Sequence, residues 1–269
     1  MKMAREIRYQ CLRPGELIAE RERCPLVYLP IGPLEWHGPH LPYGTDALNA
    51  QEASYRLARK TGGVVLPTLF LGTERERRPE MLRAIGFRGD EYIVGMDFPA
   101  NPLPSLYYPE EVLAVVVRAT LDLLIAQRYR VIAIINGHGA QNQIATLSRL
   151  TVEYSNTRPA RVLFLMPAPG FVRGEGSWSH ATRGETAIMR AVAPESVDTS
   201  TLPDGPLRNT ALAVVDDPTF RGTPTPDYTV RPEEDPRLAT AEEGEASLNT
   251  VVAELAPVIR QALAEMGSG

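Results

Sequence analysis

The chain has four histidines, His37, His40, His138 and His180, and each stands in a stretch rich in glycine or acidic residues. A single histidine is more often a hydrogen-bonded structural residue than a ligand, but four in such settings weigh against that reading for the whole set. In Glu35-Trp36-His37 an extended backbone points Glu35 and His37 to the same side, because side chains alternate along a strand. Both then reach one metal centre. Asp46, a few residues on, offers two carboxylate oxygens, the group needed to bridge two cations about 3.5 Å apart. His138 lies between Gly137 and Gly139, which let the backbone turn sharply. The run from Trp178 through His180 to Glu185 supplies a histidine and then a carboxylate, so that one can donate a proton and the other bind metal. His40 is read as a hydrogen-bonded partner that orients a ligand rather than as a ligand itself. Trp178 is a candidate wall of a substrate pocket, weighed against an ordinary core aromatic.

These residues need a scaffold. Leu26-Val27-Tyr28-Leu29-Pro30-Ile31-Gly32 is a short apolar run, as expected of a strand buried on both faces. Asp46 to Arg59 places Ala47, Ala50, Ala53 and Leu57 at helical spacing, with Thr45 or Asp46 as its cap. Further strands are predicted over 64–66, 130–135 and 161–166. Helices are predicted over 110–127, 142–156 and 184–192, with a last helical region over 239–265 interrupted at Pro257. This alternation predicts an α/β fold, a three-layer αβα sandwich around a mostly parallel, doubly wound sheet, formed as a single domain over 1–269. In such sheets ligands bind beyond the C-terminal ends of the strands, where the histidine segments fall. Two stretches, 73–107 and 202–236, exceed the usual length of a connection. The first carries Gly95-Met96-Asp97-Phe98-Pro99 and Leu106-Tyr107-Tyr108, which suggests an ordered lid or a subunit contact.

Composition excludes several classes. A hydrophobic share of 43% and a charged share of 23% are those of an ordinary globular protein. A net charge of −5 without any basic run argues against nucleic acid as a partner. The most apolar stretch, Val112 to Ala126, is broken by Arg118 and Asp122, so no membrane span is expected. The N-terminal residues lack the apolar run of a signal peptide, which points to the cytoplasm. Cys11 and Cys24 are expected to be free thiols. Neither G-x-G-x-x-G nor a Walker lysine motif is present, which removes a nucleotide-binding oxidoreductase.

Taken together, the three histidine segments resemble the creatininase (creatinine amidohydrolase) family. Glu35 to Asp46 is similar to its E-x-H-G-x-H-L-P-x-x-T-D signature, with every named position filled. Asn136 to Asn142 is similar to its N-G-H-G-x-N segment with one extra residue, and His180 to Thr186 resembles H-A-x-x-x-E-T. The resemblance runs from about Leu29 to Thr186. It implies two divalent ions, zinc, manganese or iron, held by Glu35, His37, Asp46 as the bridge, His138 and Glu185, with His180 as an acid–base group. It also implies a small-molecule substrate and a homo-oligomer, often a hexamer. The expected reaction is hydrolysis of a small amide, cyclic amide or formamide, with a metal-bridging hydroxide attacking the carbonyl. One departure bears on the substrate: creatinine-hydrolysing relatives carry a ligating glutamate two residues after the N-G-H histidine, where this chain has Ala140. Creatinine itself is therefore not the expected substrate. The alternative within the family is a C–C hydrolase that opens a cyclic ketone such as an inosose in carbohydrate catabolism. A metallophosphoesterase would want an arginine cluster beside the motifs, and a non-catalytic member would have lost ligands; neither description fits.

Overall fold

The computed structural model describes residues 5–174, 180–208 and 229–267. At its centre lie two strands, β1 (Leu26–Gly32) and β4 (Val131–Asn136), with every residue buried. They pair in parallel from Leu26↔Val131 to Ile31↔Asn136. The short β2 (Val64–Val65) and β3 (Leu69–Phe70) share the other flank of β1, and β5 (Arg161–Leu165) lies beyond β4. All these pairings are parallel.

Because neighbouring side chains point to opposite faces, the strands feed two cores. Leu26, Tyr28, Val131, Ala133 and Ile135 join Ala50, Ala53 and Leu57 of α2 (Thr45–Thr61) and Val251, Leu255 and Ile259 of α7 (Ala241–Gly267). Val27, Leu29, Ile31, Ile132 and Ile134 join Leu113, Val117 and Leu121 of α4 (Glu110–Ala126) and Leu147 and Leu150 of α5 (Gln141–Thr157). The result is an α/β fold with helices on both faces of a parallel sheet. From β1 the chain winds outward to β2 on one side and later returns to β4 on the other. The strand order thus reverses between β1 and β4, the position beyond which ligands bind in sheets of this kind.

Two helices depart from the sequence reading. The last helix runs without a break through Pro257. Pro257 is exposed, so its ring faces water and the carbonyl it leaves unbonded, on the exposed Ala253, can be hydrated. Helix α1 (Pro14–Arg23) was not foreseen; it begins with Pro14 in its first turn and with the Glu16 carboxylate accepting from the Arg13 N–H at 2.8 Å. The segment 73–107 is an ordered lobe that includes α3 (Pro79–Ala84) and has its own small core of Trp36, Leu82, Ile85, Ile93, Met96 and Phe98. Of the second long stretch, Leu202, Leu207 and Val230 pack with Ile188 and Met189 of α6 (Arg183–Val192), while 209–228 lie outside the described residues. Among the described residues no helix is long and apolar enough to cross a membrane.

Helix α6 is braced by α7 at close range. A Cβ on Gly244 would stand 2.0 Å from the Ala187 carbonyl oxygen. Gly244→Ala must push the two helices apart, and the expected loss is about 1–3 kcal/mol. It should appear as a lower urea midpoint with an unchanged slope; an unaltered midpoint would contradict this packing.

Candidate metal centre

Beyond β1 the chain is held on both sides. Leu34 forms an antiparallel bridge with Leu106, and the Glu35 N–H donates to the Tyr43 carbonyl at 2.9 Å, closing the loop between them. Glu35 and His37 turn inward to a common centre, while Trp36 between them enters the core of the 73–107 lobe. Asp46 sits in the first turn of α2, where the helix dipole favours its negative charge. Two glycines admit that turn to the sheet edge. A Cβ on Gly32 would lie 2.9 Å from Asp46 Cβ, and one on Gly137 would lie 2.0 Å from the Asp46 carbonyl oxygen. His138, next in the chain, is fixed through Asn136, whose Nδ2 donates to the His138 carbonyl at 2.7 Å. Asn136 Oδ1 accepts in turn from Gln143 Nε2 at 2.7 Å.

The five expected ligands converge. His37 Nε2 lies 3.3 Å from Asp46 Oδ1, 3.6 Å from Glu35 Oε2 and 3.7 Å from Glu185 Oε2. His138 Nδ1 lies 2.8 Å from Asp46 Oδ2 and 3.4 Å from Glu35 Oε2. Donor atoms cluster as Glu35, Asp46 and His138, as His37, Asp46 and Glu185, and as Glu35, His37 and His180. Asp46 belongs to the first two of these, and turns a different oxygen to each histidine. His180 stands at the rim of the group, its ring centroid 4.3 Å from that of His37 and its Nδ1 3.8 Å from Glu35 Oε2. Between His180 and Glu185, Ala181 adopts φ 54°, a conformation unusual for a residue with a Cβ, and its N–H donates to Glu185 Oε2 at 2.6 Å. His40 is buried behind this segment, with Nε2 3.1 Å from Thr186 Oγ1, next to Glu185 in the chain. Trp178 lies outside the described residues.

The donors suit divalent cations. His37 Nε2 is buried without a hydrogen-bond partner among three carboxylates, while Nδ1 lies 3.1 Å from the Glu35 carbonyl oxygen, an arrangement that turns Nε2 toward the centre. Carboxylate and imidazole without thiolate fit zinc, manganese or iron. In the metal-free protein protons occupy the same ground. Burial works against a charged His37, yet Asp46 and Glu185 push it up to about 10. Burial raises Glu185 to about 8. Burial also opposes ionisation of Glu35, but the neighbouring His138 holds its carboxyl well below the usual range. His180 is driven down to about 3 by burial and by the nearby His37.

A family model described as creatinine amidohydrolase matches residues 12–259. The chain belongs to the creatininase family. Members of this family are metal-dependent amidohydrolases, and the likeness extends to solved structures. A creatininase variant in a Zn–Zn form has a TM-score of 0.67 at 22% identity, covering 96% of this chain and 99% of that one. A manganese creatininase has 0.65 at 21%, with the same coverage. A crystal structure of creatinine amidohydrolase has 0.66 at 21%, covering 96% of this chain and 98% of that one. A search of curated proteins returned no match.

Against the creatininase pattern Ala140 remains the departure, and the structure places it, buried, immediately before α5. At the start of α6, Glu185 brings a carboxylate oxygen to 3.7 Å from His37 Nε2. Sequence reasoning missed Tyr107, whose hydroxyl donates to Glu35 Oε1 at 2.5 Å. Its only signal was the Leu106-Tyr107-Tyr108 run, which does not separate the partly buried Tyr107 from its exposed neighbour Tyr108.

Because His37, His138 and Glu185 carry protons near neutrality and the cations need all three stripped, metal uptake should release roughly two to three protons per chain and strengthen as pH rises from 7 towards 9. Calorimetry of zinc binding in buffers of different ionisation enthalpy measures this. Heats that do not vary with the buffer would contradict it.

Proposed function

We propose that the chain is a binuclear hydrolase that cleaves a small amide, cyclic amide or formamide other than creatinine. The observation that carries this reading is the placement of Asp46, with Oδ2 toward His138 and Oδ1 toward His37. Glu35, His138 and Asp46 would hold one ion; His37, Glu185 and Asp46 would hold the other. When bound, such ions supply the acidity that makes water nucleophilic near neutral pH and the charge that polarises a carbonyl. The protein's part is to hold its donors rigidly in a site closed to bulk water, which the burial of Glu35, His37, Asp46 and His138 achieves. His180, against His37 at the rim and held neutral by its burial, is the group placed to accept a proton from the attacking water and pass it to the departing nitrogen.

Metal analysis tests the reading directly. The purified protein should carry two divalent ions and lose activity on chelation. Asp46→Asn should deplete both ions at once, since the amide removes charge from both clusters; a variant that keeps full metal content and turnover would show that Asp46 is not the bridge. A panel of lactams, formamides, small amides and cyclic polyol ketones should give a best substrate that creatinine does not approach, because Ala140 supplies no carboxylate. Comparable creatinine turnover would refute that choice, and a best substrate among the cyclic ketones would move the assignment to C–C cleavage.

His180→Ala should leave both ions bound and lower turnover about a hundredfold or more. Loss of one ion would make His180 a ligand. Full occupancy with unchanged turnover would remove it from the reaction.

A further inference from the structure

We infer that Tyr107 is a positioning residue of the centre: its hydroxyl occupies Glu35 Oε1 and restricts Glu35 to binding an ion through Oε2 alone. The inference rests on the metal reading above and goes beyond the ligand set. The two oxygens of Glu35 have separate surroundings. Oε1 accepts from the Tyr107 hydroxyl at 2.5 Å, whereas Oε2 faces His138 Nδ1 at 3.4 Å, His37 Nε2 at 3.6 Å and His180 Nδ1 at 3.8 Å. The fixed donor takes one lone pair of Oε1 and sets the orientation of the carboxylate, so swinging both oxygens to the same cation would strain that bond.

The donor is fixed from several directions. The phenol oxygen accepts from the Met96 N–H at 3.2 Å, so its single proton is left for Glu35. The Tyr107 ring stacks on His138, with centroids 6.3 Å apart and planes 29° apart, and so braces a second candidate ligand. The bridge between Leu34 and Leu106 sets the backbones that carry Glu35 and Tyr107 side by side. Gly95 leaves the space: at φ 56°, a Cβ there would stand 2.5 Å from the Tyr107 hydroxyl and 2.5 Å from Glu74 Cγ. Beneath it the buried Arg77 holds the Gly95 carbonyl at 2.7 Å and Glu74 Oε2 at 3.3 Å. The lobe over 73–107 thus delivers one hydroxyl to the metal centre and locks it there.

Cobalt titration of the metal-free protein, followed by visible absorption, tests the inference, because intensity in that range reports how many atoms surround the ion. In Tyr107→Phe, which keeps the ring, one of the two ions should bind about ten to a hundred times more weakly. Its band should lose intensity as Glu35 brings its second oxygen to the ion. Gly95→Ala, which keeps the hydroxyl but displaces it, should produce the same change, and Tyr108→Phe should produce none. Parent-like affinity and spectrum in Tyr107→Phe would overturn the inference while leaving the two-ion reading intact. A parent protein that binds no cobalt would overturn both.

Discussion

The backbone of Asp46 rests against two glycines that end neighbouring strands, and the rest of the centre is arranged around that contact. Without side chains at Gly32 and Gly137, the first turn of α2 descends onto the sheet edge between β1 and β4. The Asp46 carboxylate then emerges between the segments that carry Glu35 and His37 on one side and His138 on the other. A larger residue at either glycine would lift the helix and separate the two clusters that share Asp46. Parallel strands make this economical: both end at the same edge, where the strand order reverses.

Charge explains why the site is so enclosed. Three carboxylates and three imidazoles converge in a region with little contact with water, and unpaired charges there would be costly. In the metal-free protein His37 keeps its proton and lies among Glu35, Asp46 and Glu185, acting as an internal counterion. A cation in the same space meets the same carboxylates with more charge and takes over that role. The groups that keep the metal-free protein stable are thus the groups the metal needs, which is why proton release and metal uptake are coupled.

The sequence made the fold and the inner residues legible for definite reasons. The seven buried residues of β1 and the helical spacing of Ala47, Ala50, Ala53 and Leu57 are periodic signals that packing requires. Glu35, His37 and Asp46 lie within one short stretch whose residue types leave few uses other than ligation. Tyr107 lacked both advantages: its partner Glu35 is far away in sequence, and its lobe has no long regular element from which a face could be read. Pro257 misled because proline breaks helices through an unsatisfied carbonyl, and sequence alone does not show that this carbonyl faces water. The two free cysteines and the parallel sheet followed from composition and alternation, which depend on no distant contact.

The bracing of α6 by α7 has a consequence for how the protein is made. Glu35 follows β1, Asp46 lies in the first turn of α2 and His138 follows β4, so all three leave the ribosome before residue 139. Glu185 arrives later, and its helix packs on α7, which is translated after it. The same helix also closes the core face of β1, α2 and β4, so both clusters of the centre depend on it. The donors nearest the start of the chain are thus made long before the helix that completes their support, and the centre is finished late in synthesis.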